Sequence, residues 1–208
     1  MEATRGGRLQ LRTERTVAFS DGVFAIAITL LVLSVNIPDI HGESAHELDQ
    51  LLDQTLPDLV AYFIGFYVIG GFWYRHHMFF DSLKGFDRRI LVSNVVYLSL
   101  IALLPFPTAV LGDHPGLTVA VVIFAVAVAL AGLADTLLLW LALDRDLLAV
   151  EEERHRRQYL ARSLLSPAVF LASIPIAFAS PQAAMWLWVF LLLAGPQLAA
   201  RLGWVRPW

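Results

Sequence analysis

Apolar positions along this chain gather into six long runs, at about 17–38, 58–80, 90–111, 117–143, 159–180 and 182–203, separated by short polar connections. Each run meets the roughly 18 apolar residues needed to cross a hydrocarbon core about 30 Å thick. The pattern predicts an all-α integral membrane protein with six transmembrane helices. Nothing between the runs is long enough for a separate soluble domain, so residues 1–208 are expected to form one helical unit. Composition agrees: 58% of residues are hydrophobic and 16% charged, where soluble domains have about 45–50% and 25%.

Charge orients the runs. All fifteen Lys and Arg residues fall into four groups: Arg5 to Arg15, Arg75 to Arg89, Arg145 to Arg162, and Arg201 with Arg206. With six spans these groups share one side, and the 39–57 connection on the other side carries Asp39, Glu43, Glu47, Asp49 and Asp53. Positive charge marks the cytoplasmic side, so both termini are expected there, in a multi-pass protein of the plasma membrane. A cleaved signal peptide fits the N-terminus poorly, because Ser20 and Asp21 interrupt the apolar region and Ser34-Val-Asn36-Ile-Pro38 offers no small-x-small cleavage site. The absence of Cys removes disulfides and thiolate metal sites. The basic clusters are topogenic, so no nucleic-acid partner is expected.

Polar residues inside the spans carry the candidate chemistry. An Asp at the centre of a membrane helix costs about 2.5–3.5 kcal/mol on insertion scales, and such residues are functional candidates. Asp21 and Ser20 lie about one turn into the first span. By topology Trp73, Arg75, His76 and His77 on the second span, Ser93 and Asn94 on the third and Asp135 on the fourth reach similar depth. This slab reads either as an Asp/His proton relay, as in a proton-coupled transporter, or as interhelical hydrogen bonds that lock the bundle. His76 and His77 are sequence neighbours about 100° apart on a helix, so they make no i, i+4 metal pair and no metal site is expected. Gly65, Gly70 and Gly71 read as close-packing positions. Pro105, Pro107, Pro167 and Pro175 are expected to bend their spans. Trp186, Trp188, Trp204 and Trp208 are expected to be interfacial anchors, and Glu151 to Arg157 a solvated helical extension.

On a helical wheel of the first span, Phe19, Ile26 and Leu33 fall within about 20° of one line, with Leu30 and Thr29 beside it. Asp21 points about 140° away from Ile26, and Ser20 about 120° the other way. The span therefore has a smooth aliphatic stripe and, elsewhere on its circumference, polar anchors. Lipid, another helix and a symmetry axis are all open as neighbours of the stripe. No phosphate loop, nucleophile elbow or HExxH motif occurs, so no enzymatic activity and no cofactor are expected. A Thr-Val-Gly-Tyr-Gly filter is also absent.

The segment Arg15-x-x-x-Phe19-Ser20-Asp21-Gly22, followed by Phe-Ala-Ile26-Ala-Ile-Thr29-Leu30-x-x-Leu33, resembles the signature first helix of the transmembrane protein 175 family of potassium channels. Phe72-Trp73-x-x-His76-His77 resembles the same family. The resemblance implies a potassium-selective leak channel without a carbonyl filter, built as a homotetramer of single six-helix chains, with the first helices lining the pore. It implies a constriction at Ile26, Leu30 and Leu33, a hydroxyl beside it from Thr29, and an anchoring network of Arg15, Phe19, Ser20, Asp21, Trp73, His76 and His77. Potassium would occupy the pore only transiently.

Overall fold

The computed structural model describes the backbone of residues 2–36, 45–85, 87–148 and 153–201, and side chains over 13–36, 51–52, 55–85, 87–148 and 156–192. Those residues fold into α1 (Glu2–Leu30), a 3₁₀ turn (Leu31–Ser34), α2 (Ala45–Asp81), α3 (Arg88–Leu103), α4 (Pro105–Asp113), α5 (Thr118–Asp144), α6 (Glu153–Ser163), α7 (Leu165–Ala179) and α8 (Pro181–Arg201). The protein is an all-α membrane protein. Five segments are long and apolar enough to cross a bilayer: Thr13–Ser34, Thr55–Asp81, Arg88–Asp113, Thr118–Asp144 and Arg156–Ala179. A sixth apolar stretch, Pro181–Leu192, opens α8.

Proline cuts the spans where the sequence suggested bends. Pro105 has no N–H to continue the ladder, so the third span breaks at Leu104 and restarts with Pro105 at the first position of α4, where no donor is required. The Ile101 carbonyl that Pro105 cannot serve accepts instead from the Leu104 amide at 3.1 Å, and the Thr108 hydroxyl adds a 2.9 Å bond to the Leu104 carbonyl. Pro167 likewise follows the junction of α6 and α7 at Leu164, whereas Pro175 is held inside α7. At the start of α3, Asp87 caps the helix by accepting from the Ile90 amide at 2.9 Å.

The central helix is α5, whose 27 residues run without interruption. Phe124 forms an aromatic cluster with Phe170 of α7 and Trp188 of α8, ring centroids 5.2–6.2 Å apart. Gly132 lets α7 approach: a Cβ there would lie 2.9 Å from Pro167 Cδ. The ends of the bundle are tied separately. On one, Asp146 adopts a left-handed turn (φ 53°), an arrangement Asp tolerates, and Lys84 N donates to Leu147 O at 2.7 Å. On the other, Asn36 bridges the start of the second span to the end of α4, its amide N–H donating to Asp58 Oδ2 at 2.8 Å and its side chain to Asp113 Oδ1 at 2.9 Å.

Four sequence expectations are corrected here. The first span does not continue as an α-helix to residue 38 but tightens into the 3₁₀ turn at Leu31. The 39–57 connection is not all loop, since α2 begins at Ala45 and carries Glu47, Asp49 and Asp53. Of the three glycines on α2 only Gly65 is closely packed, with Thr108 at 2.8 Å from an added Cβ; Gly70 and Gly71 have open space. Trp188 is 1% exposed and belongs to the core, whereas Trp186 is exposed. Trp204 and Trp208 lie outside the described residues, as do Glu151 and Glu152.

Candidate functional site

Ser20 and Asp21 grip two different helices. Ser20 is fully buried; its hydroxyl donates one turn back to Thr16 O at 2.9 Å, a common habit of helical serine. Having spent its proton there, it can only accept from Asn94 Nδ2, at 3.1 Å. That pairing orients the Asn94 amide, so Oδ1 faces His76 Nε2 at 2.8 Å. An amide oxygen only accepts, so His76 carries its proton on Nε2. Around this chain His76 stacks on Tyr97 (5.7 Å, 11°) and touches Phe24 and Phe80 at 5.4 and 4.6 Å. Ser20 of α1, Asn94 of α3 and His76 of α2 thus form one closed, buried bridge.

Asp21 starts a second bridge at the surface. Its Oδ1 accepts from Trp73 Nε1 at 2.9 Å, Trp73 stacks on His77 (5.7 Å, 23°), and His77 Nε2 lies 3.5 Å from Asp81 Oδ2. A serine and an aspartate side by side point about 100° apart on a helix, so the dipeptide ties α1 to α3 on one side and to α2 on the other.

The remaining polar members of the slab go elsewhere. Asp135 pairs with Arg75 (Nη2 to Oδ2 3.1 Å), whose guanidinium also lies over the Phe72 ring at 4.8 Å. Ser93 faces a groove on the outer surface. Arg15 and Phe19 take no part in either bridge; Phe19 is 58% exposed and continues the aliphatic stripe instead. Asn94, placed at the right depth by the sequence but left out of the expected network, is its hub. Depth could locate it; only the rotation of α3 reveals its partners.

The opposite face of α1 is aliphatic and uncovered. Ile26 is 61% exposed, Leu33 75%, and Leu30 also exposed. Leu33 sits in the 3₁₀ turn, where residues i and i+3 eclipse, so it lies directly above Leu30 and not across the Ile26 line as an α-helix would place it. Thr29 is the one polar side chain among them; its hydroxyl donates to Ile26 O at 2.9 Å, leaving its lone pairs free to accept. Among the described residues no group of three or more His, Asp or Glu could hold a metal ion.

Residues 15–105, which span α1 to α3 and both bridges, match the family model described as endosomal/lysosomal potassium channel TMEM175. A protein of Chamaesiphon minutus named as a potassium channel is 33% identical over 176 residues, covering 82% of this chain and 87% of that one. The chain belongs to the TMEM175 family. Its fold also superposes on the crystal structure of a lysosomal potassium-selective channel TMEM175 homologue from Chamaesiphon minutus with a TM-score of 0.75, at 28% identity over 88% of this chain and 95% of that one. A Streptomyces collinus potassium channel is 41% identical over 100 residues, spanning 48% of each chain. An animal relative from Gallus gallus, named as an endosomal/lysosomal proton channel, is 40% identical over 101 residues, 46% of this chain and 20% of that one. The TMEM175 family model covers the residues that build the bridges and the stripe. Membership makes the protein an ion channel by family.

Proposed function

We propose that this chain is one subunit of a homotetrameric, potassium-conducting leak channel of the plasma membrane, with both termini cytoplasmic and the α1 helices lining a central pore. The observation that carries this reading is the division of α1 into a face clamped by Ser20 and Asp21 and an uncovered face of Ile26, Leu30 and Leu33. A helix held that rigidly to the rest of its subunit presents the other face in one fixed direction. The relatives named as potassium channels support the cargo.

The constriction then consists of rings of Ile26, Leu30 and Leu33. Aliphatic rings offer potassium no oxygen ligands, so the ion passes with most of its hydration shell, and closure occurs by dewetting. Selectivity is correspondingly modest. Thr29 lone pairs assist hydration beside the narrowest point. Arg15 and Phe19 take their motif roles between subunits, since neither joins a bridge within one.

The test is flux from proteoliposomes under separate potassium, sodium and proton gradients. Potassium flux is expected, and Ile26→Asn should raise conductance or lower the preference for potassium over sodium. Flux indifferent to simultaneous changes at Ile26, Leu30 and Leu33 would remove α1 from the pore. The Gallus gallus relative's name makes protons a second cargo; a proton current exceeding that of potassium in the same assay would exchange the two.

A further inference from the structure

The seam between α3 and α5 is open along its outer surface, and its two ends differ in chemistry. Beside the basic loops lies a cavity of about 680 Å³, floored by Asp87, Arg88, Arg89 and Arg145 and walled by Val92 and Leu141. Farther along the seam is a hollow of about 270 Å³ lined only by apolar side chains, among them Leu103, Val126 and Leu130. On a helical wheel Leu103 lies within about 20° of Val92, and Val126 and Leu130 within about 20° of Leu137, so both hollows open on the same side. The rise from Val92 to Leu103 is about 16 Å, close to half of a hydrocarbon core of about 30 Å. The furrow is about as long as one leaflet is thick.

The polar end has a surplus of cation. Both oxygens of Asp87 are already engaged, Oδ1 by the Ile90 amide at 2.9 Å and Oδ2 by Arg145 Nη1 at 2.7 Å. The Ile90 amide first, and the Arg145 guanidinium with it, hold the Asp87 carboxyl below the usual carboxylate range. Arg145 Nε is buried without a hydrogen-bond partner, and Arg88 and Arg89 are exposed at the start of α3. Guanidinium groups pair with phosphate through parallel, charge-assisted hydrogen bonds. Ser93 lies at the boundary between the two chemistries.

We infer that this furrow binds one anionic phospholipid of the leaflet on the basic side, its phosphate held by Arg88, Arg89 and Arg145 and an acyl chain laid along the seam from Val92 to Leu103. Basic pockets between membrane helices suit such headgroups. A second copy of the chain fits less well, because with six spans its basic groups are expected on that same side and would meet the cationic floor with more cation.

The experiment uses the full-length, delipidated channel and measures binding by native mass spectrometry with dioleoyl phosphatidylglycerol, dioleoyl phosphatidylcholine or glycerol 3-phosphate. The glycerolipid anion is expected to bind at least about tenfold more tightly than the zwitterion, and Arg88→Gln with Arg89→Gln to erase that preference while Arg162→Gln preserves it. A photoreactive phosphatidylglycerol on the unaltered protein should label peptides containing Val92, Leu137 or Leu141, which keeps the test decisive if the double variant folds poorly. Equal binding of the two lipids, an unchanged preference in the double variant, or labelling confined to other helices would overturn the site. So would protection by glycerol 3-phosphate alone, which assigns the floor to free phosphate, or dissociation of the oligomer in the double variant with lipid retained, which assigns the furrow to a neighbouring subunit.

Discussion

The two faces of α1 are built from opposite chemistry and do opposite things. Towards the bundle lie Ser20, Phe24, Ala27 and Leu31, all buried, with Ser20 hydrogen-bonded across to α3. Away from it lie Phe19, Ile26, Leu30 and Leu33, all exposed. The polar residues, which a membrane helix carries at a cost, serve as fixings, and the ordinary aliphatic ones are left uncovered. The charge in the motif, bonded to Trp73, helps determine where the plain face points.

The buried face should be the more sensitive to substitution. Asn94→Leu deletes the hub of the Ser20–Asn94–His76 bridge and leaves the Nε2–H of His76 without an acceptor. An orphaned buried donor costs about 1–3 kcal/mol, and the expected loss is towards the upper end because two helices are released together. Thermal unfolding in detergent would measure it. A variant with unaltered stability would mean that α1 is not held by this bridge.

Gly65→Ala probes the other end of the same face. The new methyl would sit 2.8 Å from both branches of Thr108 and 3.2 Å from Leu31 Cδ2. Thr108 is buried and committed to the Leu104 carbonyl, so it has little freedom to give way. Overpacking of this kind costs about 1–3 kcal/mol. Gly70→Ala, one and a half turns on, meets open space and should be neutral or gain up to about 1 kcal/mol from helix propensity. The two alanines measured side by side separate packing from propensity.

These positions also mark how far the sequence could be read. The spans and the two-faced first helix follow from a 3.6-residue period acting within one segment, which is why they were legible. Gly65 differs from Gly70 and Gly71 through the approach of Thr108 of α4 and of Leu31, a tertiary fact. The 3₁₀ turn at Leu31 is not written in Leu31–Ser34 either: Asn36, just beyond it, is held by Asp58 and Asp113 from two other helices, and the chain tightens to reach them. The polar slab was located by depth alone, yet depth could not divide it into the Ser20–Asn94–His76 bridge, the Asp21–Trp73 bond and the Arg75–Asp135 pair. That division depends on how each helix is rotated. Trp188 was read as interfacial from its type, and its packing against the Phe124 and Phe170 rings places it in the core instead.

A smaller effect is expected at the basic end of the bundle, where Asp87 joins α3 to Arg145. Its carboxyl is held below the usual range chiefly by the Ile90 amide, with Arg145 adding to it. A depressed carboxylate contributes stability that is fully present above its unfolded pKa and is lost as pH falls through the lower folded value. The pair is partly exposed, so screening keeps its contribution below about 1 kcal/mol. Asp87→Asn should therefore lower the melting temperature slightly at neutral pH, and the difference from the unaltered protein should vanish under acid. A difference that persists below the folded pKa would assign the effect to unequal capping by the neutral carboxyl and amide and not to charge.

The smallest stability change, and the sharpest functional one, is expected on the uncovered face. Ile26→Asn removes no buried contact and strands no partner, so unfolding should shift by no more than about 0.5 kcal/mol. This prediction discriminates between the possible neighbours of the stripe. Against lipid, a polar side chain in the hydrocarbon loses solvation and destabilises the fold. Against another helix, it disrupts packing and weakens the oligomer. Only beside water is the change nearly silent for stability while altering how an ion crosses the constriction. Unfolding, oligomer mass and potassium flux measured on the same Ile26→Asn preparation therefore have three distinguishable outcomes, and only unchanged stability and mass with altered flux is compatible with an α1-lined pore.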